Sequence, residues 1–442
     1  MSNTFDDNRS VWWANASDVT YVPAPALGND LDCDVAIVGG GFTGTSTAYH
    51  LARRFPEKRI VLVEGRLLGN GASGRNGGLA LNWINGVETA DLALARRVYD
   101  VTRAGIDAIE ARIREHALDV PWKRDGYVDI LTDERRAEGA AREVERLASV
   151  GIPLRYLSGP ELARHVRFEG AVGGVLDPTA GQVDGVRLVR AMRPVLEGLG
   201  VMIHEHTPVR GIDEGETHTL DVPGGRLRAK AVVLATNAYT PRLGYFGTGI
   251  VPLHSHVLAT EALSAEAWQE HGWPVGLGGF SDDFDRIAYG SMTTRGQLVF
   301  GGGSNAAYGY AYGNGTAFRG DDGKAQAAMR RSLQRYLPKA KDVRIAQRWS
   351  GPVALTMSRV CTMGVQGKHK NVYFALGYSG HGVTLANLAG EVLTDIAAGV
   401  ASRWEGLPFY QQRLLFVPPE PLRWLGYHAY TSLTGRSPRR SL

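Results

Sequence analysis

The sequence predicts an α/β fold in which a parallel sheet flanked by helices is joined to an α+β region built on a largely antiparallel sheet. Three observations lead there. A short apolar strand, Asp34 to Val38, runs straight into Gly39-Gly40-Gly41, and a helical stretch and a second strand follow within about thirty residues, which is a βαβ unit. Helix and strand patterns then alternate as far as residue 235. From 250 to 305 strand-like runs are parted only by turns, the signature of hairpins rather than crossovers.

Composition sets the outer bounds. A chain of 442 residues is longer than one ordinary domain, and 44% hydrophobic with 21% charged residues suits a globular protein with a sizeable core. Its 56 glycines show no G-X-Y period and no Gly/Ser linker, so they must serve a folded chain. Lys+Arg total 49 against 45 Asp+Glu, and the cations are scattered apart from pairs such as Arg96-Arg97, Arg135-Arg136 and Arg439-Arg440, which argues against a nucleic-acid footprint. Only Cys33 and Cys361 occur, so no disulfide framework is expected. Met1 to Asp7 lacks a basic and then apolar leader, and no stretch approaches the ~18 apolar residues of a membrane span. The expectation is a soluble cytoplasmic protein.

Taken in order, residues 1–29 are polar and turn-rich but carry Trp12-Trp13, and read as an arm that docks by those rings. Asp34 to Val38 is a strand, Thr43 to Arg54 a helix with Ala48 and Leu51 on one buried face, and Arg59 to Glu64 the next strand. Residues 89–117 and 133–149 read as amphipathic scaffold helices with a strand, Arg124 to Leu131, between them. Residues 186–200 form a helix. Val201 to His206 and Arg228 to Ala235 are strands flanking a polar hairpin at Pro223-Gly224-Gly225. Ile250 to Thr260, Arg286 to Gly290 and Gln297 to Gly302 supply the antiparallel sheet, and 371–376 a buried strand before the helix 383–398. The tail 418–442, with Pro418-Pro419-Glu420-Pro421 and Trp424, reads as an ordered extension, its basic end Arg436 to Arg440 solvated.

Chemistry concentrates at three glycine-rich places. Gly39-x-Gly41-x-x-Gly44 follows a strand and opens a helix, and Glu64 ends the next strand twenty residues after Gly44. Gly39 permits the turn, Gly41 lets backbone N–H groups reach a pyrophosphate at the helix N-terminus, and Gly44 allows close helix–sheet packing, while Glu64 can accept from a ribose hydroxyl. This is a Rossmann-like dinucleotide site, and it does not separate FAD from NAD. Gly69-Asn70-Gly71-Ala72-Ser73-Gly74-Arg75-Asn76-Gly77-Gly78 is a second loop whose backbone donors can wrap a ligand, with Ser73 and Arg75 able to reach pyrophosphate oxygens. A third, Gly377-x-x-Gly380-x-Gly382, joins a strand ending at Leu376 to the helix from Val383, and aims unpaired N–H groups and a positive helix end at one spot. His381 in that turn is either a structural residue or one that lines the ligand.

Together, Asp34 to Gly44, Glu64, Gly71 to Gly78, Val232-Val233-Leu234-Ala235-Thr236-Asn237-Ala238-Tyr239-Thr240-Pro241 and Asn371 to Val383 resemble the FAD-dependent D-amino-acid oxidase superfamily, which includes glycine oxidase and sarcosine oxidase. The gamma-glutamylputrescine oxidase branch is the most similar. The resemblance covers residues 10–405 and implies non-covalent FAD. It implies cofactor contacts from Gly39, Gly41, Phe42, Thr43, Gly44, Glu64, Gly65, Arg66, Gly71, Ala72, Ser73, Arg75, Asn76, Gly77, Gly78, Val209, Thr236, Asn237, Gly351, Gly377, Gly380, His381, Gly382, Val383 and Thr384. The expected division is 30–88, 156–245 and 346–405 for the cofactor, 89–155 and 246–345 for substrate, and 406–442 as a C-terminal extension.

Flavin amine oxidation needs little acid–base apparatus, because the cofactor carries the difficult step; the implied task of the protein is an apolar, aromatic pocket that orients the amine. Family placement suggests Trp83, Tyr289, Trp349 and Tyr378 as its walls, with His381 beside them. Where sarcosine oxidase has a lysine that grips the substrate carboxylate, Thr384 stands here, which favours a polyamine-like or N-substituted amine over an α-amino acid. Its covalent flavin cysteine would fall near Trp349 to Gly351, some ten residues before Cys361, and Arg75 occupies the place of the flavin-linked histidine of the dimethylglycine-oxidising branch. Its oxygen-activating basic residue maps near Val299. The resemblance therefore implies amine oxidation with reoxidation by O2 to H2O2, or by another acceptor in a dehydrogenase of the same fold; a non-catalytic FAD-binding partner protein is the third reading. His254 and His256, two apart on a strand, share a face and are open to structural, pocket-lining or metal readings. No third metal ligand accompanies them, and no metal is expected.

Overall fold

The computed structural model describes residues 9–18, 20–273, 277–314 and 323–434. Met1 to Asp7 and the basic end, Arg436 to Arg440, lie outside them.

An eight-stranded sheet carries the parallel core. Leu31–Val38 lies at its centre, parallel to Ile60–Val63 on one side and to Gly225–Leu234 on the other; Met202–His204 extends the first edge. Gly225–Leu234 is long enough to take two partners in succession, the antiparallel His218–Val222 first and then the parallel Val372–Leu376. The central parallel stretches, residues 35–38, Ile60–Val63 and 232–234, are buried on both faces, as parallel strands under helices must be, whereas the outer half of Gly225–Leu234 alternates buried and exposed residues. Val35, Ile37, Ile60 and Leu62 face one apolar cluster, and Ala36, Val38, Val61 and Val63 the other.

The helix Phe42–Arg54 crosses the first face. Its sequence predicts a single buried side, yet every residue from Phe42 to Ala52 except His50 is buried. The reason is packing on three sides, by the sheet, by Gly185–Gly198 and by Gly382–Ala397. Contact with the last is close enough that a Cβ on Gly390 would stand 2.3 Å from the Ser46 carbonyl carbon. The buried Arg112, on the helix Leu92–Glu115, bridges the pair by donating to Asn387 Oδ1 at 3.2 Å and Ser46 Oγ at 3.4 Å.

A nine-stranded sheet forms the second layer. All its pairings are antiparallel except that of Gly279–Asp282 with Tyr127–Leu131. Arg155–Ser158, Gly173–Asp177 and Ile345–Leu355 pair within this sheet, although the expected division puts residues 156–245 and 346–405 with the cofactor part. The reason is antiparallel pairing across long intervals: Gly173–Asp177 runs back along Tyr127–Leu131, and Ile345–Leu355 lies antiparallel to Val251–Thr260 over almost its whole length. A small sheet of Leu79–Ala80, Gly181–Val183 and Trp122–Lys123 lies just beyond the second glycine loop.

The N-terminal arm docks as its tryptophans predict, through a short helix, Val11–Asn15. Trp12 is buried and its indole N–H donates to the Asn76 carbonyl at 2.7 Å, while Ser10 Oγ donates to Gly74 O at 2.6 Å. At the other end of the chain a helix, Leu422–Thr434, lies on the second layer. No helix among the described residues is long and apolar enough to cross a membrane.

Candidate active site

The first glycine turn sits where the parallel strands end, the crevice in which open α/β sheets bind ligands. Gly39 has φ of 111°, and a Cβ on Gly44 would stand only 1.8 Å from the Gly39 carbonyl oxygen, so the turn and the helix can close only with glycine there. The helix then begins at Gly41 with no side-chain cap from that residue. Glu64 closes the turn from below, accepting from Gly40 N–H at 2.8 Å and Arg66 N–H at 2.9 Å. Burial raises the Glu64 pKa; those two N–H groups oppose the rise and the nearby Glu205 adds to it. A carboxylate offers about four acceptor positions, which leaves room for a ribose hydroxyl.

The second loop folds onto this turn. Ser73 Oγ accepts from Phe42 N–H at 2.9 Å, putting the loop against the helix N-terminus. Arg75 turns inward and donates to Asn70 O at 3.0 Å and Ser350 O at 3.2 Å, and burial lowers its pKa to about 10, which leaves it charged at neutral pH. Asn76 braces the loop, donating to Ala72 O at 2.9 Å and accepting from Gly78 N–H at 2.7 Å. The antiparallel sheet meets the loop from the far side. Ser291 Oγ donates to Gly77 O at 2.6 Å, the Tyr289 ring lies 3.0 Å from where a Gly77 Cβ would be, and Gly351 runs beside the Arg75 side chain.

The third segment completes the ring. Tyr378 is buried and its hydroxyl shares a 2.7 Å hydrogen bond with Thr43 Oγ1, so residues 335 positions apart meet at one helix N-terminus. Burial raises its phenol pKa strongly. Gly377 N–H donates to Asn237 Oδ1 at 2.9 Å, and the helix Gly382–Ala397 starts at a half-buried His381 that gives no side-chain cap. Three non-glycine residues here hold positive φ: Trp83 at 81°, Asn237 at 43° and Ser379 at 48°. Backbone held in this sparsely populated region clusters at ligand sites. The Ser379 turn is pinned by Asn85 Nδ2, which donates to Ser379 O at 2.7 Å.

Thus the glycine-rich segments, Ser73, Arg75, Asn237, Tyr289 and Tyr378 converge, with Thr236 beside Gly39 and Gly65 against Pro208. Trp349 is fully buried, its indole N–H donating to Arg75 O at 2.9 Å, so it supports the loop from behind. Trp83 is half-buried and donates to Val87 O at 2.9 Å. Val209 packs at the edge of the sheet's second apolar cluster. The Thr384 side chain turns to Gly105, with its Cγ2 2.9 Å from where a Cβ there would be, and its buried Oγ1 has no hydrogen-bond partner. His254 and His256 are buried on the face of their strand opposite Ser255, whose hydroxyl lies 3.4 Å from that of Tyr289, so they point away from the cofactor loop. Asn85 is the residue that the sequence reading passes over; the Asn85-Gly86 pair is a turn signal that marks it.

Two helices therefore begin at one crevice with no cap from Gly41 or His381, the first meeting Ser73 Oγ through Phe42 N–H, and the Glu64 carboxylate stands just past the end of the neighbouring strand. That donor set fits a dinucleotide cofactor of FAD type, and the fold and site define a two-layer flavoprotein oxidoreductase. Residues 34–396 match the model of the DAO family of FAD-dependent oxidoreductases, and the chain belongs to that family. Gamma-glutamylputrescine oxidoreductase of Escherichia coli is 29% identical over 91% of this chain and 94% of its own. Probable oxidoreductase OrdL of Haemophilus influenzae is 28% identical over 87% and 88%. The glycine oxidase structure from Geobacillus kaustophilus superposes with a TM-score of 0.74 at 22% identity, covering 87% of this chain and 100% of that one. The chain is an FAD-dependent enzyme.

Proposed function

We propose that this enzyme oxidises a primary or secondary amine, polyamine-like or N-substituted, to an imine that water hydrolyses, with O2 as final acceptor and H2O2 as product. The reading is carried by one observation, the hydrogen-bonded closure of Phe42 N–H on Ser73 Oγ and of Thr43 on Tyr378, which brings three glycine-rich segments to a single helix end. Bound FAD supplies the hydride acceptor, its N5, and passes the electron pair on.

The chain's own residues bind and orient. The first-turn N–H groups of Phe42–Arg54 not taken by Ser73 would hold a pyrophosphate, and those of Gly382–Ala397 would stabilise negative charge on a reduced flavin without reorganisation. Tyr289, against Gly77, closes the site toward the antiparallel sheet and keeps water from the reacting carbon. Thr384 presents no cation for a substrate carboxylate, which supports an amine without one. Cys361 is buried, and burial raises its thiol to about 12; a thiol held neutral forms no flavin linkage, which supports non-covalent FAD.

A dehydrogenase passing electrons to another carrier is the second reading, favoured by Val299, which is fully buried in an apolar cluster with Val257 and Trp349. Stopped-flow mixing of dithionite-reduced enzyme with dissolved oxygen decides between them. Rapid return of the oxidised spectrum supports the oxidase, and return slower than turnover overturns it. A kcat/KM panel of polyamines, acylated polyamines, N-methyl amines and α-amino acids tests the substrate class; turnover of α-amino acids alone contradicts the argument from Thr384.

A further inference from the structure

The C-terminal helix, Leu422–Thr434, carries its polar anchor inward and its apolar side outward. Arg423 is buried and donates to Gly247 O at 3.1 Å and Ile250 O at 3.0 Å, and it pairs with Glu420 at 3.1 Å. Tyr427 donates to Tyr308 O at 3.0 Å and its ring lies 5.1 Å from that of Tyr310. At ~100° per residue, Leu422, Leu425, Ala429 and Leu433 fall on the opposite side. The three leucines are 61%, 52% and 87% exposed. Trp424 and Tyr430 flank the stripe, and Phe416, 70% exposed, precedes it.

A surface helix ordinarily turns its charges to water. Here the only formally charged side chain from Leu422 to Thr434 is the inward Arg423, so the solvent face holds none. The eight residues that follow, 435–442, contain Arg436, Arg439 and Arg440 and no acid. Leucines at the centre, rings at the flanks and cations beyond are the composition of a helix that lies in a lipid headgroup layer. At 13 residues it rises ~20 Å, too short to span. Between two copies of the chain the cationic segments would repel, whereas anionic headgroups complement them.

We propose that Leu422–Thr434 docks the enzyme on an anionic membrane surface, its leucine stripe facing lipid and the cationic composition of residues 435–442 adding attraction to the headgroups. The inference is independent of the amine and of the electron acceptor. Its test is co-sedimentation of the full-chain holoenzyme with vesicles of phosphatidylcholine alone and of phosphatidylcholine with phosphatidylglycerol in equal parts. Binding to the anionic vesicles is expected, weakening as salt rises. The double variant L425E/L433E is expected to lose at least about tenfold in partitioning, and each arginine of 436, 439 and 440 replaced by serine about fivefold. These variants keep their flavin and their turnover of soluble amine, which shows that they are folded. Failure to bind either vesicle, or unchanged binding by L425E/L433E, overturns the proposal. So does a dimer in light scattering that L425E/L433E dissociates without any vesicle binding, since the face then serves a second copy.

Discussion

At the scale of single residues, hydrogen-bond partners separate cofactor-holding groups from reacting ones. Tyr378 was open to a catalytic role from its position in the motif, but its hydroxyl is occupied by Thr43 in a buried bond at 2.7 Å. Tyr378→Phe should therefore keep kcat within a few-fold while lowering holoenzyme stability in urea by about 1–2 kcal/mol, the cost of leaving Thr43 unpaired. A fall in kcat beyond a hundredfold with stability intact would assign the phenol a proton-transfer role instead. Glu64 accepts two backbone N–H bonds. Glu64→Ala removes both, and FAD affinity measured by flavin fluorescence should drop by about 2–3 kcal/mol, roughly thirty- to a hundred-and-fiftyfold. Both glycine turns and Glu64 were legible because their chemistry is local in sequence. Asn85 and the inward turn of Thr384 were not, because their partners Ser379 and Gly105 lie 294 and 279 positions away and nothing in a local pattern encodes them.

Among the elements, helix ends carry the sharpest tests. Asp184 caps Gly185–Gly198 by accepting from Arg187 N–H at 3.0 Å, and burial raises its pKa to about 6 against the bonds that lower it. A carboxyl with a higher pKa folded than unfolded stabilises the fold while protonated; that contribution is complete below about pH 4 and lost as pH rises through about 6. Asp184→Asn retains a capping side chain without the charge. Its Tm relative to the parent should rise between pH 4 and pH 7, by the equivalent of about 2–3 kcal/mol, and a pH-independent difference would contradict the burial argument. In Phe42–Arg54, Gly44→Ala drives a methyl against the Gly39 carbonyl, so the purified protein should carry little flavin and lose about 1–3 kcal/mol of stability. The helix's all-round burial escaped its amphipathic pattern because two further helices cover the side that a lone βαβ unit leaves to solvent. The fold class was readable from strand and glycine order, but the sheet allegiance of Gly173–Asp177 and Ile345–Leu355 depends on pairing across long intervals.

For the whole molecule, cofactor binding and folding are one equilibrium. Three segments far apart in the chain meet at one helix end, the proposed FAD site, and the N-terminal arm holds the second of them through Trp12 and Ser10. Excess FAD at about a hundred times its Kd should stabilise the apoprotein by about 2.7 kcal/mol, seen as a higher unfolding midpoint. Trp12→Ala, which empties a buried indole site, should cost about 3–5 kcal/mol and raise the fraction of flavin lost on gel filtration. The most direct test of the account is anaerobic mixing of the holoenzyme with amines while the flavin band near about 450 nm is followed. Bleaching by a polyamine or N-substituted amine, with the matching aldehyde or ketone released, is the result expected. A flavin that dithionite bleaches and no amine does would contradict it.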